Sequence, residues 1–160
     1  MIASVEGTVG RHAEAEATYR EHGSRLWRSL VLSFGDAELA SDAVAEAFAQ
    51  LLARGSAVRD PAAWVWRSAF KIAAGQIKER AMFGPMASEG PAELPVDLVD
   101  VLRALGVLTP EQRCAVVLAD YVGYRHAEIA RIVGSTPSAI AVRVHRGRKR
   151  LRELLEVHDD

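Results

Sequence analysis

The chain has 160 residues, with 20 Lys and Arg against 21 Asp and Glu for a formal net charge of −1; that length holds one domain or two small ones and excludes a large multidomain enzyme. Hydrophobic residues at 49% and charged residues at 26% match an ordinary globular protein, excluding disorder, collagen and low complexity. The single cysteine, Cys114, excludes an internal disulfide and a multi-cysteine zinc site.

In chain order, a first helix is expected where Tyr19, Leu26, Trp27, Leu30, Val31 and Phe34 recur at helical spacing, ending at Gly35. Asp36 caps a second, whose apolar stripe runs through Leu39, Val44, Phe48 and Leu51 to Gly55. Asp60-Pro61 opens a third, which runs toward Arg80. Residues 81–95 hold three prolines and two glycines with little periodicity, the composition of a flexible linker. Beyond it, Val96 to Leu105 reads as a short helix, and Thr109-Pro110-Glu111-Gln112 is a capping box that starts another near 110. That helix breaks around Gly123; a short one follows from about Arg125 to Val133, stopped by Gly134, and Thr136-Pro137 begins the last. No strand pattern competes. The expected fold is therefore all-α: two small helical domains, residues 10–80 and 96–157, joined by the flexible linker 81–95. No apolar run is long enough to span a bilayer, and MIASVEGTVGR lacks the basic start and apolar stretch of a secretory signal, so a cytoplasmic protein without direct membrane insertion is expected.

The near-neutral total hides a concentration of charge. Arg143, Arg146, Arg148, Lys149, Arg150 and Arg152 lie within ten residues, and no acid occurs between Glu128 and Glu153. A short helix, a glycine turn and a capped helix with a basic outer face make the layout of a helix-turn-helix. At 100° per residue, Val144, Gly147 and Leu151 fall within about 40° of Ile140 and form the inner side. Ser138, Val142, His145, Arg146 and Lys149 then point outward. They offer hydrogen bonds, a methyl contact for thymine and cations for guanine edges or phosphates, with Arg143, Arg148 and Arg150 flanking them toward the phosphate walls.

At these residues the sequence resembles the C-terminal domain of the extracytoplasmic-function sigma factors of bacterial RNA polymerase. The resemblance is carried by Tyr124, Glu128, Ile129, Ala130, Val133 and Gly134, followed by Ile140, Arg143, Val144, Arg146 and Arg148, with Leu108-Thr109-Pro110-Glu111-Gln112-Arg113 upstream. The N-terminal half is similar to the family's other domain at Tyr19-Arg20-Glu21-His22, at Asp42, Val44, Glu46 and Phe48, and at Pro61 with Trp64-Val65-Trp66-Arg67. Together these segments extend over about residues 15 to 155.

The resemblance implies a promoter-specific initiation factor without catalytic chemistry or cofactor. Its implied partners are core RNA polymerase, promoter DNA and an anti-sigma factor. It places Ser138, Val142, Arg143, His145, Arg146 and Lys149 on the −35 element. Trp64, Arg67, Lys71 and Lys78 are placed on the melted −10 strand, where aromatic stacking and phosphate contacts would hold it; by residue type alone, Trp64 or Trp66 is more often a core anchor than a base platform. Asp42, Glu46 and Phe48 are placed on the basic coiled coil of the polymerase clamp. Departures from the family pattern cluster on the same surfaces: Ala45 replaces a glutamine, Lys71 and Gly75 replace an asparagine and an aspartate, and Ala141 and Val142 replace a basic residue and a serine. Strand capture and promoter preference are expected to differ accordingly. Glu79 interrupts the basic end of the third helix.

Two other classes stand beside this one. A stand-alone helix-turn-helix regulator would use residues 10–80 for dimerisation or sensing and bind a twofold operator. An enzyme is suggested only by His12-Ala-Glu14 and His126-Ala-Glu128, which lack the companion ligands of a zinc site. Cys114, between Arg113 and Ala115, has no partner base and reads as a small core residue.

Overall fold

The computed structural model describes residues 2–83 and 94–158, and among these there are helices and turns but no strand. The elements are α1 (Ile2–Phe34), α2 (Ala37–Arg54), a short 3-10 turn (Gly55–Ala57), α3 (Pro61–Phe83), α4 (Val96–Leu105), α5 (Pro110–Val116), a π-helical turn (Val117–Val122), α6 (His126–Val133) and α7 (Pro137–His158). α1 begins well before the apolar stripe that announces it, and α3 continues past Arg80. Residues 84–93 of the expected linker lie outside the described residues.

Local chemistry sets the boundaries. Gly35, Gly55, Gly123 and Gly134 all have positive φ, the conformation a Cβ disfavours, and each closes a helix. Asp36 accepts the Leu39 amide at 2.9 Å and so caps α2. At α5 the Gln112 amide donates to Thr109 Oγ1 at 3.2 Å while the Thr109 amide donates to Gln112 Oε1 at 3.3 Å, which satisfies two otherwise orphaned donors.

α1, α2 and α3 pack around Leu26, Leu30, Leu39, Val65 and Phe70, all essentially excluded from solvent. Burying one such side chain contributes about 1.5–3 kcal/mol. α4 to α7 form a second helical group around Leu118, Ile129, Ile140 and Val144. The groups are pressed together: α1 lies against α5 and the π-turn, and α3 against α6. Arg28 of α1 pairs with Asp97 of α4 at 2.7 Å. Arg25 donates to the Tyr121 and Val122 carbonyls at 3.1 and 2.8 Å, where the π-turn leaves acceptors without an intrahelical partner. Trp66 of α3 meets the Tyr124 ring edge-on at 5.5 Å. No helix among the described residues is long and apolar enough to cross a membrane.

Candidate nucleic-acid interface

α6, the Gly134 turn and α7 form the helix-turn-helix. The turn is tight because Gly134 adopts φ 70° and the Ser135 amide returns to the Ala130 carbonyl at 2.9 Å. α7 then starts cleanly: Thr136 Oγ1 accepts the Ala139 amide at 3.2 Å, and Pro137 takes the first helical position, where its missing N–H costs nothing.

Ile140 and Val144 are 0% and 1% exposed and Gly147 is buried, so the inner side of α7 falls where the helical wheel puts it. Gly147 allows α7 to lie directly on α5, since a Cβ there would come within 2.6 Å of Val116 Cγ2. This close approach fixes the angle at which the outer side is offered. On that side Ser138, Val142, His145, Arg146 and Lys149 are exposed. Arg146, Lys149, Arg150 and Arg152 form no ion pair among the described residues.

Two flanking arginines sit elsewhere than the wheel suggests. Arg148 is held by Asp120 of the π-turn at 3.0 and 2.5 Å, a two-point contact whose hydrogen bonds raise its pKa further. It clamps α7 to the π-turn rather than facing a phosphate wall. Arg143 is half-buried and turned into the cleft between the two helical groups.

On α3 the two tryptophans part company. Trp66 is 1% exposed; its Nε1 donates to His22 Nδ1 at 3.3 Å and its ring stacks on Phe70 at 6.3 Å, so it is the core anchor. Trp64 stays half-buried at the surface with the Arg54 guanidinium 5.6 Å from its centroid. Arg54, Arg59, Trp64 and Arg67 border a recess of about 330 Å³. Arg54 and Arg59 escaped the sequence reading, although their place in the segment just before the Asp60-Pro61 helix start was a signal. Arg67, Lys71 and Lys78 are exposed as expected, with Arg67 and Lys71 on the cleft that also receives Arg143.

On α2, Asp42 and Glu46 are exposed one turn apart, and Gln50 donates to Glu46 at 2.8 Å. Phe48 is not beside them on the surface. It is 8% exposed and packs edge-on against Tyr19 at 5.2 Å, so it sets the seating of α2 on α1 instead of offering a contact of its own.

Glu128 and His12, from the two fragments that resemble metal sites, make structural contacts. Glu128 is held below its ordinary range by the Arg125 side chain and backbone amide, the latter at 3.2 Å, and so caps α6. His12 Nδ1 donates to the Thr8 carbonyl at 2.7 Å. No group of three or more His, Cys, Asp or Glu among the described residues stands close enough to hold a metal. Burial pushes the Cys114 thiol up to about 11, which keeps it protonated at neutral pH.

Comparison with known proteins agrees with this geometry. Residues 98–151 match the family model for sigma-70 region 4. A stretch of 59 residues is 42% identical to the extracytoplasmic-function RNA polymerase sigma factor SigE of Mycolicibacterium smegmatis, covering 37% of this chain and 23% of that protein. SigL of Mycobacterium tuberculosis, described in the same terms, is 26% identical over 171 aligned residues, which span 97% of both chains. The fold is similar to that of the sigma factor RpoE, solved in complex with the anti-sigma factor NepR from Bartonella quintana: the TM-score is 0.73 at 24% identity, over 89% of this chain and 96% of that one.

Proposed function

We propose that this chain is an extracytoplasmic-function sigma factor of bacterial RNA polymerase and directs the polymerase to promoters by carrying two separate DNA-contacting surfaces. The observation that bears most weight is the outer side of α7: exposed Ser138, Val142, His145, Arg146 and Lys149 on a helix whose seating is fixed by Gly147. Such a helix enters the major groove, where Arg and Lys read guanine, Ser adds a hydrogen bond and the Val142 methyl groups suit thymine. We assign it the −35 element, with Arg143 joining when the cleft opens.

The second surface is the Trp64, Arg67, Lys71 and Lys78 side of α3, with Arg54 and Arg59 added from the preceding segment. An aromatic ring among cations suits an unstacked base and its phosphates, as the −10 strand presents them. Asp42 and Glu46 are assigned to a basic surface of the polymerase clamp. The working division is residues 10–80 and 96–157 as the two domains; because α3 runs on to Phe83, the linker is shorter than residues 81–95, and residues 84–95 would reach about 40 Å if extended. The chain supplies recognition and no bond chemistry, works in the cytoplasm where the polymerase is, and is open to control by an anti-sigma partner.

Transcription in vitro with purified core polymerase tests this. Wild type gives promoter-dependent transcripts; Arg146→Ala weakens promoter choice with core association intact, and Asp42→Ala weakens core association. A dimer on a palindromic duplex, with no promoter-dependent transcript, would transfer the reading to a stand-alone regulator.

A further inference from the structure

Between the two helical groups lies a cleft of about 650 Å³. Its floor is apolar, with Phe34 of α1 tilted against Phe70 of α3 at 5.9 Å between ring centroids, and Ile77 and Ile132 extending it. Its lining carries four cations, two from each group: Arg67 and Lys71, one turn apart on α3, face Arg131 of α6 and Arg143 of α7. None of the four forms an ion pair among the described residues. Glu111 is the one carboxylate among the described lining residues. Packing the two groups together therefore gathers four cations and one carboxylate around an apolar floor, a net positive recess that favours an anion.

A volume of this size falls within the range of small-molecule sites, which are largely apolar with a few convergent polar groups. We infer that the cleft binds a small amphipathic anion, an unbranched acyl chain with one anionic head, the chain lying along Phe34, Phe70 and Ile77 and the head held between the α3 and α6–α7 cations. Charge complementarity selects the head, because a neutral amphiphile would leave the four cations uncompensated. The apolar floor selects the chain, because a bare anion would leave it wet. Since the cations come from both groups, a bound head ties the groups together and occupies Lys71 and Arg143, both assigned above to DNA. Binding itself stands independently of any role with polymerase.

Decanoate below its micelle concentration is the probe, with decanol and inorganic phosphate as controls, read on the full chain by calorimetric titration and by the thermal unfolding midpoint. Saturable binding of decanoate with a raised midpoint is expected, together with much weaker effects of both controls. Lys71→Ala and Arg131→Ala, both at exposed positions, should each weaken decanoate by about tenfold, the worth of one charge-assisted hydrogen bond. Ile77→Glu, which sets a carboxylate on the floor, should abolish it. The inference is overturned if decanoate does not saturate, if decanol binds equally well, if phosphate alone matches it, or if all three variants bind decanoate as wild type does.

Discussion

The two cationic helices, α3 and α7, carry similar side chains in opposite settings. α7 buries Ile140, Val144 and Gly147 against its own small group and leaves Arg146 and Lys149 in solvent. α3 buries Trp66 and Phe70, and its Arg67 and Lys71 overlook the cleft toward the other group. The difference teaches that where a helix is seated decides whether its basic stripe is open to a partner. The side of α7 that would read duplex stands open in this arrangement, whereas Arg67 and Lys71 of α3, though exposed, border the cleft against the other group. Arg25 on the π-turn carbonyls and Arg28 on Asp97 are the polar ties that separation must break.

Substitutions on the two helices break or sharpen this contrast. The largest effect is expected at the tryptophans of α3: Trp66→Ala should destabilise by about 3–5 kcal/mol, the usual cost of emptying a buried aromatic site. Trp64→Ala should cost a small fraction of that in urea unfolding yet impair −10 strand capture in a permanganate footprint.

Next come the glycines, where one change should act with opposite signs. A Cβ at Gly147 would press on Val116 at 2.6 Å, so Gly147→Ala should cost about 1–3 kcal/mol and loosen α7. A Cβ at Gly75 in α3 meets nothing within 4 Å, so Gly75→Ala should stabilise by about 0.5–1 kcal/mol through helix propensity. Thermal unfolding of the two variants side by side reads both signs.

Within α7, Arg146→Ala should weaken promoter binding by the holoenzyme by about 1–3 kcal/mol and relax its sequence preference. Arg148→Ala should leave both nearly unchanged, because the guanidinium is committed to Asp120.

The smallest effect concerns acid. Partial burial works against the charged form of Asp36, but the Leu39 amide and then Arg80 prevail and hold its carboxyl below the ordinary range. A folded pKa below the unfolded one gives stability that is complete above the ordinary carboxylate pKa of about 3.9 and is lost as pH falls through the lower folded value. Asp36→Asn should flatten the fall in unfolding free energy across that acidic window, because the variant already lacks at neutral pH the contribution that the charged carboxyl makes with Arg80.

Much of this was legible in the residues themselves. Thr109 and Gln112 form the capping box their spacing announces, Gly123 and Gly134 close their helices, and the wheel through Ile140, Val144 and Gly147 sorted the inner from the outer side of α7. These features are local, decided by backbone sterics and helical period. What was hidden depends on partners far away in the chain. Nothing near Arg148 points to Asp120, 28 residues back, and nothing near Arg25 points to Val122, 97 residues on. The start of α1 at Ile2 had no apolar stripe to reveal it. Phe48 belongs to the same apolar stripe as Val44 and Leu51, and its burial follows from that stripe rather than from the neighbouring acidic pair.

Site-specific photo-cross-linking within the polymerase holoenzyme on promoter DNA tests the account most directly, with a photoreactive amino acid in place of His145 and, separately, of Lys71. The account predicts that position 145 labels duplex bases of the −35 element, and that position 71 labels the −10 strand only when core polymerase is present. Adducts from position 145 confined to protein, or to DNA without preference for the −35 element, would contradict it.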